Sequence, residues 1–347
     1  MLLPQTSQDK TPRDASHETK CETIEFGIRE FGIKEHWTLT HLEKSDHCFV
    51  ILSLRNDSGV DVTDNLVYKE WEKTKDKLFK MGEERGEKDV PPRDMPASTG
   101  LKILGWRSNT PLKKTLAWFD IDFEYGESDQ KVSLNNMGSL GDDLFITDQR
   151  GIWTLFSDFY SSFADKILLN KTVTTIEYDD NGVEVATAGG ETFTADYALC
   201  TFGSGVLNRG SVQFNPPLPG WKKEAIYRLR PVYYTKIFLK FPSEFWGDSE
   251  WTLHVSSQNT GHFPVFFDLD RAGFFPGSNS LYTVVTGDES LRVEAQDDSK
   301  TMEELMEVLR NMYGPGIPNA TGTERRVQLD PNLPSNRHFS LNKKRLS

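Results

Sequence analysis

The sequence predicts a chain of mixed α and β structure, and three observations carry that reading. Ile152, Leu155, Phe156, Phe159 and Phe163 recur at three- and four-residue steps, the spacing of one helical face, and a β-rich stretch follows them. Over Val232–Phe241 the residues Tyr234, Lys236, Phe238 and Lys240 share one face if the segment is a strand. Thr301-Met302-Glu303-Glu304 reads as a capping box, opening a helix with Met302, Leu305, Leu309 and Met312 on its inner side.

Taken in order, residues 1–20 are rich in Ser, Thr, Asp and Lys and are expected to be disordered, and apolar residues return without a clear period from Ile24 to Leu54. Asp64 is a suitable N-cap for a helix carrying Val67, Trp71, Leu78 and Met81 on one stripe. The charged, proline-containing run from Gly82 to Pro96 then reads as a long exposed connection. After the helix beyond Arg150, Lys171–Tyr178 is a strand, Asn181-Gly182 a two-residue hairpin turn, Val183–Thr187 the return, and Glu191–Phe202 a third strand. Ser280–Thr286 is a further strand, and Gly314-Pro315 stops the capped helix.

Composition narrows the function classes. The 347 residues carry 40 Lys and Arg against 52 Asp and Glu, a net charge of −12 that argues against a phosphate-coating nucleic-acid binder. No run of about eighteen apolar residues is available to span a bilayer, so a soluble intracellular location such as the cytoplasm is expected. The three cysteines, Cys21, Cys48 and Cys200, form no disulfide framework. From Thr321 to Ser347, six basic residues face two acidic ones, and hydrophobic periodicity is lost.

Local motifs leave the chemistry open. Gly203-Ser204-Gly205 resembles a dinucleotide turn, but position 208 is Asn where a third glycine belongs, and a structural turn is favoured. His36, His41, His47 and Cys48 cluster without a zinc-ligand spacing and read as ordinary surface residues. Asp120, Asp122 and Glu124 alternate with Phe119, Ile121, Phe123 and Tyr125. On composition this is a solvated strand edge; a carboxylate row for ammonium groups beside an aromatic wall is the alternative. Lys236 is either a reactive, partly buried lysine or one snorkelling to water.

The run Phe214-Asn215-Pro216-Pro217-Leu218-Pro219-Gly220-Trp221-Lys222, continuing to Tyr234-Thr235-Lys236-Ile237-Phe238-Leu239-Lys240-Phe241-Pro242 and Phe245-Trp246, resembles the FAD-dependent amine oxidases. Within them it is most similar to the polyamine oxidases of plants and fungi. Asp122-Phe123-Glu124-Tyr125, Asp148-Gln149-Arg150-Gly151, Leu169-Asn170-Lys171, Gly205-Val206-Leu207 and Asp288-Glu289-Ser290 support the likeness in the same order. The resemblance implies an α+β and α/β architecture: a partial FAD-binding Rossmann-type domain interleaved with a substrate domain of mixed sheet flanked by helices. Residues 138–210 would form the middle segment of the FAD-binding domain, and 60–137 with 211–320 the substrate domain. Residues 1–59 stay unassigned, without the dinucleotide motif, and 321–347 form an unmatched basic tail, so the chain is expected to be truncated at both ends.

The resemblance further implies that a polyamine or related amine is oxidised to an imine, which hydrolyses to an aldehyde, while oxygen reoxidises the flavin and is reduced to hydrogen peroxide. FAD would be the cofactor, and the small-molecule amine and oxygen the partners; oligomeric state carries no signal. Lys236 would hold a water near the flavin with Tyr234 beside it. Phe123, Glu124 and Tyr125 would line the substrate tunnel, while Val173 and Gly205 would lie on the cofactor side. A second reading of the same residues is an inactive remnant that binds polycations or a partner.

Overall fold

Asp64 begins the first long helix as its side chain dictates: its carboxylate accepts hydrogen bonds from the Leu66 and Val67 amides. In the computed structural model, described over residues 22–26, 37–41, 52–138, 144–146, 153–229, 231–271 and 274–328, the elements follow in chain order. Strands β1 (Glu22–Phe26), β2 (Trp37–His41) and β3 (Leu52–Asn56) precede helix α1 (Asn65–Gly86). Helices α2 (Ala97–Ile103) and α3 (Pro111–Ala117) lead through a widened helical turn, Trp118–Asp122, into the short α4 (Phe123–Tyr125). Next come β4 (Leu144–Ile146), α5 (Trp153–Ser161), β5 (Val173–Asp179), β6 (Gly182–Thr187), β7 (Thr192–Ala195), α6 (Ser204–Asn208), β8 (Gln213–Asn215) and α7 (Gly220–Arg228). Strands β9 (Tyr234–Lys240), β10 (Trp251–Val255), β11 (Val265–Asp268) and β12 (Ser280–Thr286) are followed by α8 (Gly287–Ala295), α9 (Asp298–Tyr313) and β13 (Gly322–Gln328).

The chain divides into two units, residues 1–48 with 142–160, and 49–141 with 161–347. The first holds the antiparallel sheet β1-β2-β4 and nearly all of α5, where Phe156 and Phe159 of the helical face are about half exposed. The second holds two sheets, of order β13-β9-β12-β11-β10-β3 and β7-β6-β5-β8. The six-stranded sheet is antiparallel except for the parallel pair β10–β3. Its alternating side chains feed two cores. Leu54, Leu253, Val265 and Val284 pack with Trp71, Leu78, Trp106 and Ile121 of the α1–α4 layer. Ile237, Leu239, Leu281 and Val285 pack with Val293, Leu305 and Leu309 of α8 and α9. The central strands are thus covered by helices on both sides.

Four local expectations change. Gly82 does not end α1: the helix runs on to Gly86, and a Cβ at position 82 would lie 2.5 Å from the Met137 carbonyl oxygen, so glycine admits the Leu134–Met137 turn. The alternating stretch Phe119–Tyr125 is helical, because Thr110 caps and Pro111 opens a helix whose Leu116, Ala117 and Ile121 are buried. The third meander strand ends at Ala195, which pairs with Val183 in the last rung of the β6–β7 ladder. Tyr197 and Leu199 therefore stand 92% and 91% exposed. Helix α9 starts at Asp298, one turn before the anticipated Thr301, whose hydroxyl instead donates to the Asp297 carbonyl.

Candidate functional site

Strand β9 is bonded over all seven residues to β12 on one side and β13 on the other. Its pleat turns Thr235, Ile237 and Leu239 into the core and leaves Tyr234, Lys236, Phe238 and Lys240 on the opposite face, as the sequence predicts. Register then lays an aromatic row across four strands, with Phe238 opposite Tyr282, Tyr282 opposite Phe267, and Phe267 opposite Trp251. Neighbouring ring centroids are 5.6, 5.0 and 4.4 Å apart. Such contacts hold the rings in tilted and edge-on arrangements favoured by their quadrupoles.

Lys236 projects beside this row, exposed, with Nζ 5.7 Å from the Tyr234 ring centroid and 5.8 Å from that of Tyr282. Helix α4 supplies the other wall. Phe123 lies 5.9 Å from Tyr234 and 5.7 Å from Trp251, and Phe119 lies 5.5 Å from Trp251. Glu124 is exposed on α4, and its charge reaches the phenols of both Tyr234 and Tyr282. Burial pushes both phenols well above the ordinary tyrosine value, and the nearby negative charge adds to it, so both remain neutral donors. At the far end Glu250 accepts a 3.1 Å hydrogen bond from Trp251 Nε1, and burial raises its carboxyl above the usual range.

Thus Phe123, Glu124, Tyr234 and Lys236 come together. Tyr125 follows in sequence, but its hydroxyl donates to the Gly138 carbonyl at 3.4 Å. Val173 opens β5, half-buried, and Gly205 is buried in α6, so both belong to the region of the four-stranded sheet. Sequence reading named Phe119 only in the alternative of an aromatic wall and missed Trp251, Tyr282 and Glu250, because their convergence depends on strand register. A cleft of about 540 Å³ lined by Leu207, Val212, Phe214, Leu218 and Ile226 lies between α6, β8 and α7 and contains none of the predicted residues.

Among the described residues no group of three or more His, Cys, Asp or Glu is placed to hold a metal ion. His36, His47 and Cys48 lie outside the described residues, as does the side chain of His41, and Cys200 is an exposed free thiol. Among the described residues no helix is long and apolar enough to cross a membrane.

The flavin containing amine oxidoreductase pattern matches residues 109–340, and the chain belongs to that family. It is 36% identical over 234 residues to polyamine oxidase 1 of Zea mays, covering 61% of this chain and 46% of that protein. It is 33% identical over 229 residues to lysine-specific histone demethylase 1 homolog 2 of Arabidopsis thaliana, covering 62% of this chain and 29% of that protein. The chain spans about half the length of the polyamine oxidases it matches. Among solved structures, cyclohexylamine oxidase from Brevibacterium oxydans superposes with a TM-score of 0.61 at 17% identity, over 76% of this chain and 62% of that one. Wild-type putrescine oxidase bound to putrescine superposes with a TM-score of 0.62 at 12% identity, over 77% and 62% of the two chains. The fold is that of the amine oxidases, of Rossmann type with mixed helices and sheets.

Proposed function

We propose that the chain acts on a polyamine or related amine as a flavin-dependent amine oxidase, with its site on the Lys236 face of the six-stranded sheet. The observation that carries this reading is the meeting, on one face, of an exposed ammonium, two half-buried phenols and an aromatic wall beside a carboxylate. The residues present fit the ring end of a flavin: Tyr234 and Tyr282 flank a cation at an exposed position, a setting suited to a planar heteroaromatic. Lys236 and Tyr234 would hold that end, and Val173 with Gly205 the adenine side. Bound FAD would supply the two-electron acceptor that converts an amine to an imine, with oxygen as final acceptor and hydrogen peroxide as product.

The chain's own residues orient and select. Glu124 attracts the ammonium groups of the substrate, and Phe123 and Trp251 offer ring faces to its methylenes and its charge. Tyr234, kept neutral by burial, can donate a hydrogen bond without adding a competing negative charge. Lys236 holds a water by donating to it, close to where oxygen must be reduced.

The test is reconstitution. Purified chain incubated with FAD is expected to retain flavin absorbance after desalting and to release peroxide with spermidine. Colourless protein that yields no peroxide would overturn the reading.

A further inference from the structure

The back of β9 carries a polar knot that the proposed chemistry does not use. Thr235, the residue between Tyr234 and Lys236, is wholly buried and points away from their face. Its hydroxyl lies 2.6 Å from Ser290 Oγ and donates at 2.6 Å to Glu294 Oε1, while Ser290 Oγ lies 3.4 Å from the same carboxyl oxygen. Ser290 is 0% exposed and Glu294 8%, both on α8. The other carboxyl oxygen of Glu294, Oε2, is buried with no hydrogen-bond partner. Around them the sheet–helix interface is apolar, built from Ile237, Leu239, Val285, Val293 and Leu305.

Burying a carboxyl with one oxygen unpartnered is costly where an aliphatic side chain would pack at no such cost. The knot adds little to holding β9 in its sheet, since two ladders already do that over the same seven residues. Ladders of this kind still admit a range of local twist between neighbouring strands, roughly 10–35°, and that twist decides where alternate side chains point. Helix α8 is fixed at its start by a hydrogen bond from the Gly287 amide to the Tyr233 carbonyl, just before β9. The ties from Ser290 and Glu294 to Thr235, about one and two turns further along α8, give the strand a second point of attachment. Two attachments along one helix define an orientation; one does not.

We propose that Glu294, acting through Thr235 and Ser290, is a positioning residue for Lys236, setting the roll of β9 so that the ammonium stands against the rings of Tyr234 and Tyr282. Its functional meaning rests on the role given to Lys236 above; the placement itself is independent of that role.

The experiment reads the position of Lys236 directly. The full chain is reductively methylated with ¹³C-formaldehyde, and the Lys236 dimethylamine resonance is identified by its loss in Lys236→Arg. In the parent chain this signal is expected to be displaced from the exposed-lysine envelope by the two ring currents. Thr235→Val, which keeps the shape and removes the hydroxyl, should return most of that displacement while circular dichroism and Tm report an intact fold. Thr235→Ser, which keeps the hydroxyl, should restore it. Glu294→Leu, which removes the acceptor for the Thr235 hydroxyl, should behave as Thr235→Val does and serves as the measurement if the valine variant does not fold. An unchanged Lys236 signal in a folded Thr235→Val or Glu294→Leu chain would overturn the proposal. So would unfolding of both variants, because the knot would then hold the fold and not the lysine. Peroxide release is assayed separately: its absence from the parent chain bears on the oxidase reading, whereas a displaced Lys236 signal that Thr235→Val abolishes supports the positioning role regardless.

Discussion

Lys236 and Tyr282 lie diagonally across adjacent strands, Nζ standing 5.8 Å from the ring centroid of a phenol on which the charges of Glu250 and Glu124 act. A cation beside two rings at an exposed position contributes about 0.5–1 kcal/mol to stability. Lys236→Met is therefore expected to leave Tm within a few degrees of the parent. A positioned water donor near the reacting centre contributes far more to rate, so peroxide release with spermidine should fall by about a hundredfold or more. A chain that loses its fold and its rate together would assign Lys236 to structure.

Trp71 is fully buried at the centre of the α1–α4 layer, and its indole Nε1 donates to Asp120 Oδ2 at 2.6 Å. The same carboxylate accepts from Lys75 Nζ at 3.2 Å, and its charge, with that of Glu72, holds Lys75 above its ordinary value against the pull of burial. Trp71→Phe keeps most of the ring packing and removes the donor. The expected cost is about 1–3 kcal/mol, the range for losing one partner of a half-buried charged hydrogen bond. Urea unfolding measures it, and a midpoint equal to that of the parent would contradict the assignment.

Much of this architecture was legible in the sequence for local reasons. Asp64 caps its helix, Asn181-Gly182 turns its hairpin, and Ser280–Thr286 forms the strand its residues predict, because each signal is decided within a few residues. The Tyr234–Lys240 face was legible because pleating alone fixes it. The short-range signals failed where distant partners decide. Phe119–Tyr125 alternates as a strand would, yet Trp71 and Lys75 hold Asp120 from another helix, and Ile121 is buried in the core. Nothing local marks Trp251 or Tyr282 as neighbours, since a row across four strands exists only once register is set. The tie between Thr235 and Glu294 is illegible for the same reason.

Glu289 sits under three donors: His262 Nδ1 at 2.8 Å, Arg292 Nε at 3.0 Å and an Arg292 terminal nitrogen at 2.8 Å. Burial alone would raise its carboxyl, but these hydrogen bonds and charges hold it down at about 2, against an ordinary 4.5. With the folded value below the unfolded one, the stabilisation is present above pH 4.5 and is lost as pH falls toward 2. Glu289→Gln should therefore flatten the acid limb of a Tm-against-pH profile, lying below the parent at pH 7 and approaching it near pH 2. Parallel profiles would show that the carboxylate is not the group responsible.

Asp122 behaves in the opposite sense, immediately before the Phe123-Glu124 wall. Burial pushes its carboxyl up to about 8 from an ordinary 3.8; the charges of Asp129 and Glu127 add to this, while the hydrogen bond from the Asp129 amide, 3.1 Å from Oδ1, opposes it. Here the folded value exceeds the unfolded one, so the contribution to stability is full below pH 3.8 and is lost progressively as pH rises through about 8. Asp122→Asn keeps an oxygen to accept from Asp129 and removes the titrating proton. Its Tm should stay flat between pH 4 and pH 8 where the parent declines, so that the variant has gained several degrees on the parent by about pH 8. Because α4 follows directly, the parent should also lose amine binding on the alkaline side as Asp122 ionises and repels Glu127 and Asp129, and Asp122→Asn should retain it. Identical alkaline limbs for parent and variant, in Tm and in spermidine titration calorimetry, would remove Asp122 from the account.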